Sequence, residues 1–135
     1  MSRLFGGWLH ATSRLQVEKY GRDLSEVPQE LYGEEVRQHV VGAIEELGEY
    51  LKEADWKPWK PRPQFASEEA RIKRCEELVD VLHFIANLCV LEGLTDAELS
   101  QMYLDKVEKN RIRNDHMGAS EAEDTVMRRA FGLPS

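Results

Sequence analysis

The chain has 135 residues, the usual length of one domain, and can bury a single core without disulfide or metal staples. A hydrophobic fraction of 41% is too high for a disordered chain, and no apolar run approaches the roughly 18 residues that a membrane span needs. The formal net charge of -7 repels phosphate backbones and argues against nucleic acid as the partner, although a cation and a local basic cluster can reverse the field inside one cleft.

The opening MSRLFGGWLH lacks the long apolar stretch of a signal peptide, so a cytoplasmic protein is expected. A first helix is predicted from about Leu4 to Tyr20, stopping near Gly21. A second starts after Pro28 and carries Val36, Val40, Ile44, Leu47 and Leu51 on one stripe at helical period. It also carries Glu46 and Glu49, three apart and so pointing the same way, flanking that stripe. The stretch WKPWKPRPQ, with Pro58, Pro61 and Pro63, ends the helix.

A third helix runs from about Ser67, an N-cap candidate, to Gly93. From Leu78 to Leu91 it reads LVDVLHFIANLCVL, apolar on nearly every side, the pattern of a central, buried helix. At about 100° per residue, Glu77 and Asp80 share a face with Phe84, Leu88 and Leu91. Two carboxylates thus prolong an apolar ridge, which is costly unless something neutralises them. A fourth helix opens at Thr95 and Glu98, spaced as a capping box, and runs to about Asn114. The tail holds one more short helical pattern, SEAEDTVMRRAF. The whole reads as an all-α, four- to five-helix bundle in residues 1–118 with a tail at 119–135, and so apolar a central helix calls for a partner subunit. Cys75 and Cys89 match no metal or redox spacing and are expected to be reduced core thiols.

Two long helices joined by a Pro-rich loop can run antiparallel and bring Glu46-x-x-Glu49 against Glu77-x-x-Asp80. Four converging carboxylates require cations, and an all-oxygen donor set suits Mg²⁺ or Mn²⁺ rather than zinc or copper. Magnesium usually shares its shell with substrate phosphates, so the pattern points to a metal–phosphate site. A di-iron reading has less support. Asp80-x-x-His83 supplies half of such a motif, His39 follows Glu35 by four, and neither His10 nor His116 has an acid three residues earlier.

EELGE followed by EELVDVLHFIANL resembles the paired acidic signature of the all-α NTP pyrophosphohydrolase superfamily, which includes MazG-like enzymes, dimeric dUTPases and dCTP pyrophosphatases. WKPWK resembles the aromatic-basic stretch of that family. Tyr103, Lys106, Asn110 and Arg113 resemble its Y-x-x-K-x-x-x-N-x-x-R tract. The resemblance implies Mg²⁺ held by Glu46, Glu49, Glu77 and Asp80, with Glu46 and above all Glu49 serving catalysis on the attacking water. It implies Lys106 and Arg113 on the phosphates and Asn110 on the sugar or base. It also implies Gln16 on the base, and Trp56, with Trp59, stacking on the base or anchoring the loop. Substrate would be a (d)NTP, cleaved to the monophosphate and pyrophosphate by a homodimer or homotetramer. A helical module that senses nucleotides without turnover is the alternative. Val107 stands where the dUTPase pattern has Asn, and Asn114-Asp115-His116 replaces its later Gln-Gly-Tyr end. These departures leave dUTP or another dNTP, including a purine, as the expected substrate.

Overall fold

The computed structural model describes residues 4–54, 57, 59 and 67–115, with the side chains of 114 and 115 excepted. These residues form four helices and no strand: α1 (Trp8–Tyr20), α2 (Gln29–Ala54), α3 (Glu68–Leu91) and α4 (Asp96–Asp115), with a 3₁₀ turn at Leu24–Glu26. The Pro-rich stretch, including Trp56, and the tail after residue 115 lie outside the described residues. The all-α expectation holds. No single described helix is long and apolar enough to cross a membrane.

Local chemistry sets the helix ends. The Gly6–Gly7 pair, poor in helix propensity, delays the start of α1 to Trp8 rather than Leu4. Its far end closes at Gly21, whose left-handed φ of 64° suits a residue without Cβ. Ser67 caps α3 by accepting from the Ala70 N–H at 3.1 Å. One half of the predicted capping box is present: Thr95 Oγ1 accepts from the Glu98 N–H at 3.1 Å, while the Glu98 carboxylate accepts from the Thr95 hydroxyl at 3.1 Å rather than from its backbone N–H.

α2 and α3 run antiparallel. Lys73 pairs with Glu53 at 3.3 Å; further along the seam Phe84 lies against Gly42 and Asn87 against His39. A Cβ on Gly42 would sit 2.4 Å from the Phe84 ring, so a glycine is needed for this approach. The apolar core lies at one end of the molecule, where Leu9, Leu24, Ala86 and Val90 meet with Trp8, Val27, Leu94 and Leu99 around them. The α2–α3 seam mixes small and polar residues, with Glu35, His39 and Asn87 buried along it beside Gly42 and Ala43.

α4 turns by 107° from the axis of α3 and is tied back mainly through α1. The Asp96 carboxylate accepts from the N–H groups of Leu9 at 2.7 Å and His10 at 3.4 Å, capping α1 from a distant part of the chain. Ser100, fully buried, accepts from the Phe5 N–H at 2.9 Å and donates to the Asp96 carbonyl at 2.8 Å. Asp96→Ala orphans the α1 donors beside buried Leu9. It should cost about 1–2 kcal/mol in denaturant unfolding, while Asp96→Asn should retain most of that.

Several expectations are corrected. α3 is not buried all round: Leu78, Val79, Leu82 and Ile85 are exposed. The α2 stripe of Val40, Ile44, Leu47 and Leu51 also faces outward, with Ile44 62% exposed. The sequence pattern is amphipathic, but the small and polar side of α2 packs on α3, where Phe84 fits against Gly42. Cys75 is exposed and only Cys89 packs beside the core. Tyr103 is half exposed with its ring edge-on to Phe5 at 5.3 Å between centroids.

Candidate metal centre and its cleft

Midway along the α2–α3 seam, Glu46 meets Glu77 and Asp80, and one carboxylate oxygen from each lies within 4.8 Å of the others. The antiparallel pairing explains this. Glu46 lies one turn beyond Gly42, on the α2 side that packs against α3, and Glu77 and Asp80 occupy the matching turn of α3. Glu49 is not within this three-oxygen group and is exposed. Its charge still reaches Glu46.

Three carboxylates this close cannot all ionise freely. The Glu46 carboxyl is held above its usual range, first by a hydrogen bond with Glu77, then by partial burial and by the charges of Asp80, Glu77 and Glu49. Because the folded state raises this pKa, folding favours the protonated acid. The contribution of Glu46 is most favourable in and below the ordinary carboxylate range and becomes less so as pH rises through the raised value. Metal-free protein and Glu46→Gln should therefore melt close together in mildly acidic buffer. The variant should pull ahead by a few degrees as pH rises toward neutrality, as scanning calorimetry in chelator would record.

Two of the three acids, Glu46 and Asp80, line an open cleft of about 420 Å³, together with Leu15, Gln16, Tyr20 and Arg22 from α1 and the turn after it, His39 from α2, and His83, Phe84 and Asn87 from α3. Two other surface grooves match it in volume, so size does not single it out; the acids and the convergent polar groups do. Gln16 thus stands in the same cleft as Glu46 and Asp80. His83 lines it too but is outside the three-oxygen group.

Lys106, Asn110 and Arg113 do not join this site within the protomer. All three sit on α4, none lines the cleft, and Lys106 and Arg113 are exposed. From Asp80 to the end of α3 is already about 16 Å at 1.5 Å per residue, and α4 then turns aside. Trp56 lies outside the described residues, and Trp59 is exposed with Lys57 over its ring at 5.8 Å.

The family model described as dUTPase matches residues 25–90, which span α2 and nearly all of α3 and contain both acidic pairs. The match covers just under half of the chain and supports a dUTPase-like, all-α NTP pyrophosphohydrolase family assignment. No curated protein and no solved structure matches it. The match supports nucleotide hydrolysis as the general activity.

Sequence reasoning passed over Arg22 and Asn87 in the cleft and weighed His39 only as a di-iron ligand. Arg22 ion-pairs with Glu35, which is buried. His39 Nε2 lies 3.5 Å from the same carboxylate and its Nδ1 lies 3.5 Å from Asn87 Nδ2. Burial, and then the Arg22 charge, lower the His39 pKa, which favours the neutral ring. Two signals were in the sequence: Glu35 and His39 at helical i, i+4 spacing, and one amide, Asn87, in the middle of an apolar helix.

Proposed function

We propose that this dUTPase-like protein is a Mg²⁺-dependent pyrophosphohydrolase that converts a (d)NTP to the (d)NMP and pyrophosphate, in nucleotide-pool control. The observation that carries this reading is the convergence of Glu46, Glu77 and Asp80 oxygens from two helices at the mouth of a cleft. The donor set fits the metal. Hard carboxylate oxygens are what Mg²⁺ or Mn²⁺ takes, and the hydrogen bond between Glu46 and Glu77 marks a site strained by its own negative charge.

When bound, the metal neutralises charge on the phosphoryl oxygens and lowers the pKa of water. The residues do the rest. Glu46, Glu77 and Asp80 hold the centre on rigid helices, and Glu49, one turn further along α2, orients the attacking water at the α-phosphorus and takes its proton. Gln16 offers an amide to the nucleoside from the α1 wall.

A second copy of the chain completes the protomer in this reading. Outward Val40, Ile44 and Leu47 on α2 and Leu78, Leu82 and Ile85 on α3 call for cover, as do Met102, Leu104, Val107 and Ile112 on α4. Lys106, Asn110 and Arg113, remote from their own acids, are then available to a neighbouring site, where Lys106 and Arg113 meet phosphate as charge-assisted donors. A homodimer or homotetramer serves this arrangement.

The test is a panel of ribo- and deoxynucleoside triphosphates, dUTP and purines included, with Mg²⁺ and product chromatography. At least one nucleotide should yield equal amounts of monophosphate and pyrophosphate, and chelator should stop the reaction. Release of orthophosphate instead, or no turnover by folded, Mg²⁺-replete protein, contradicts the proposal.

A further inference from the structure

We infer that Asn87 reads the edge of the nucleobase, accepting an N–H of the base through Oδ1, and that His39 and Glu35 are positioning residues that set its amide. The inference rests on the nucleotide reading above and adds to it a residue that contacts the base edge.

Three buried polar residues stand in a row behind the cleft. Glu35, His39 and Asn87 are 8%, 7% and 3% exposed. Among the described residues Glu35 Oε2, His39 Nε2 and Asn87 Oδ1 have no hydrogen-bond partner of good geometry. An orphaned buried acceptor is costly and is seldom kept without use. His39 and Asn87 both line the cleft that holds Gln16, Glu46 and Asp80.

The order of the row fixes its polarity. Arg22 anchors the Glu35 carboxylate, which can only accept. The neutral His39 ring therefore turns Nε2–H toward Glu35 Oε2, leaving Nδ1 as an acceptor. That acceptor selects the Nδ2–H side of Asn87, at 3.5 Å, so Oδ1 is the atom left over. An amide free to flip would take a donor or an acceptor edge equally well. Held this way, Asn87 favours an N–H donor. A base that brings one gains a hydrogen bond, and a base that cannot leaves Oδ1 buried and unpaired.

The experiment pairs each natural nucleotide with a counterpart lacking the edge N–H: dUTP with 3-methyl-dUTP, dGTP with 1-methyl-dGTP, dATP and dCTP with their exocyclic dimethyl forms. For the nucleotide that wild type turns over best, methylation should lower kcat/KM by about tenfold or more. Asn87→Ala, which also makes room for the methyl group, should bring that ratio close to one. The change should sit mainly in KM. His39→Phe should shrink the ratio with kcat largely kept, and His39→Gln, which keeps an acceptor facing Asn87, should restore it. Circular dichroism and melting curves identify variants that do not fold, and the His39 pair then carries the test. A full methylation penalty in folded Asn87→Ala or in His39→Phe overturns the inference while leaving the hydrolase reading intact. Wild type that turns over no nucleotide at all overturns both.

Discussion

Asp80→Asn should lower Mg²⁺-dependent nucleotide turnover by about 10²–10³-fold and at the same time make the metal-free protein more stable. The two effects share one origin. Asp80, Glu77 and Glu46 present oxygens within 4.8 Å of one another, an arrangement with no value to the fold itself. The neighbouring charges hold the Glu46 carboxyl above its usual range, with Asp80 among the causes. Asparagine keeps the shape and one oxygen but removes a charge. The fold loses a repulsion, and the centre loses a third of the negative charge that would draw a divalent ion. A residue needed only for packing behaves the other way, since its loss lowers stability and activity together. Steady-state kinetics at saturating Mg²⁺, with melting curves in chelator, separate the cases. Unchanged turnover, or a metal-free variant clearly less stable than wild type, contradicts the assignment.

The second large effect concerns assembly. If the proposed second copy completes the site, wild type should be oligomeric at micromolar concentration, and Ile44→Glu should leave a monomer and carry the activity down with it. Ile44 is 62% exposed in the protomer, in a stripe with Val40, Leu47 and Leu51. Covering the exposed part of one such side chain contributes about 1 kcal/mol, so a contact needs several of them covered together. A carboxylate at its centre would be stripped of water without a partner, at several kcal/mol, which weakens association by about 10²-fold or more. The substitution touches neither the acids nor the cleft, so any loss of turnover reports what the second copy supplies. Lys106 and Arg113 are the residues to examine next, because neither lines the cleft of its own protomer. Sedimentation velocity at several concentrations gives the answer. Wild-type protein that stays monomeric, or an active Ile44→Glu monomer, removes the second copy from the account.

The four helices were legible because their stop and start signals are local: Gly21, Ser67, the Thr95–Glu98 box and the break before Asp96 act within one turn of chain. The juxtaposition of Glu46 with Glu77 and Asp80 was legible because it needs only two antiparallel helices. The direction of the apolar stripes was not. Helical period shows that Val40, Ile44 and Leu47 share a face, but not whether that face meets its own chain or another. Gly42 decides the matter by admitting Phe84 on the opposite side, and a lone glycine gives no sign of this in the sequence. The Glu35–His39–Asn87 row was less legible, because Asn87 on α3 lies 48 positions beyond His39 and only the packing of α2 on α3 joins it to the Glu35–His39 pair. The 107° turn between α3 and α4, which carries Lys106, Asn110 and Arg113 away from the acids, depends on the Asp96 and Ser100 contacts to α1.

The central claim is that acids from two separate helices share one divalent ion. It is tested most directly by titrating Mn²⁺ into the full chain, followed by electron paramagnetic resonance, with a non-hydrolysable α,β-imido nucleotide present. Glu46→Gln on α2 and Glu77→Gln on α3 should each weaken Mn²⁺ binding by about tenfold or more, since each removes a charged oxygen from the same centre. If both variants bind Mn²⁺ as wild type does, the ion sits elsewhere and the account is wrong.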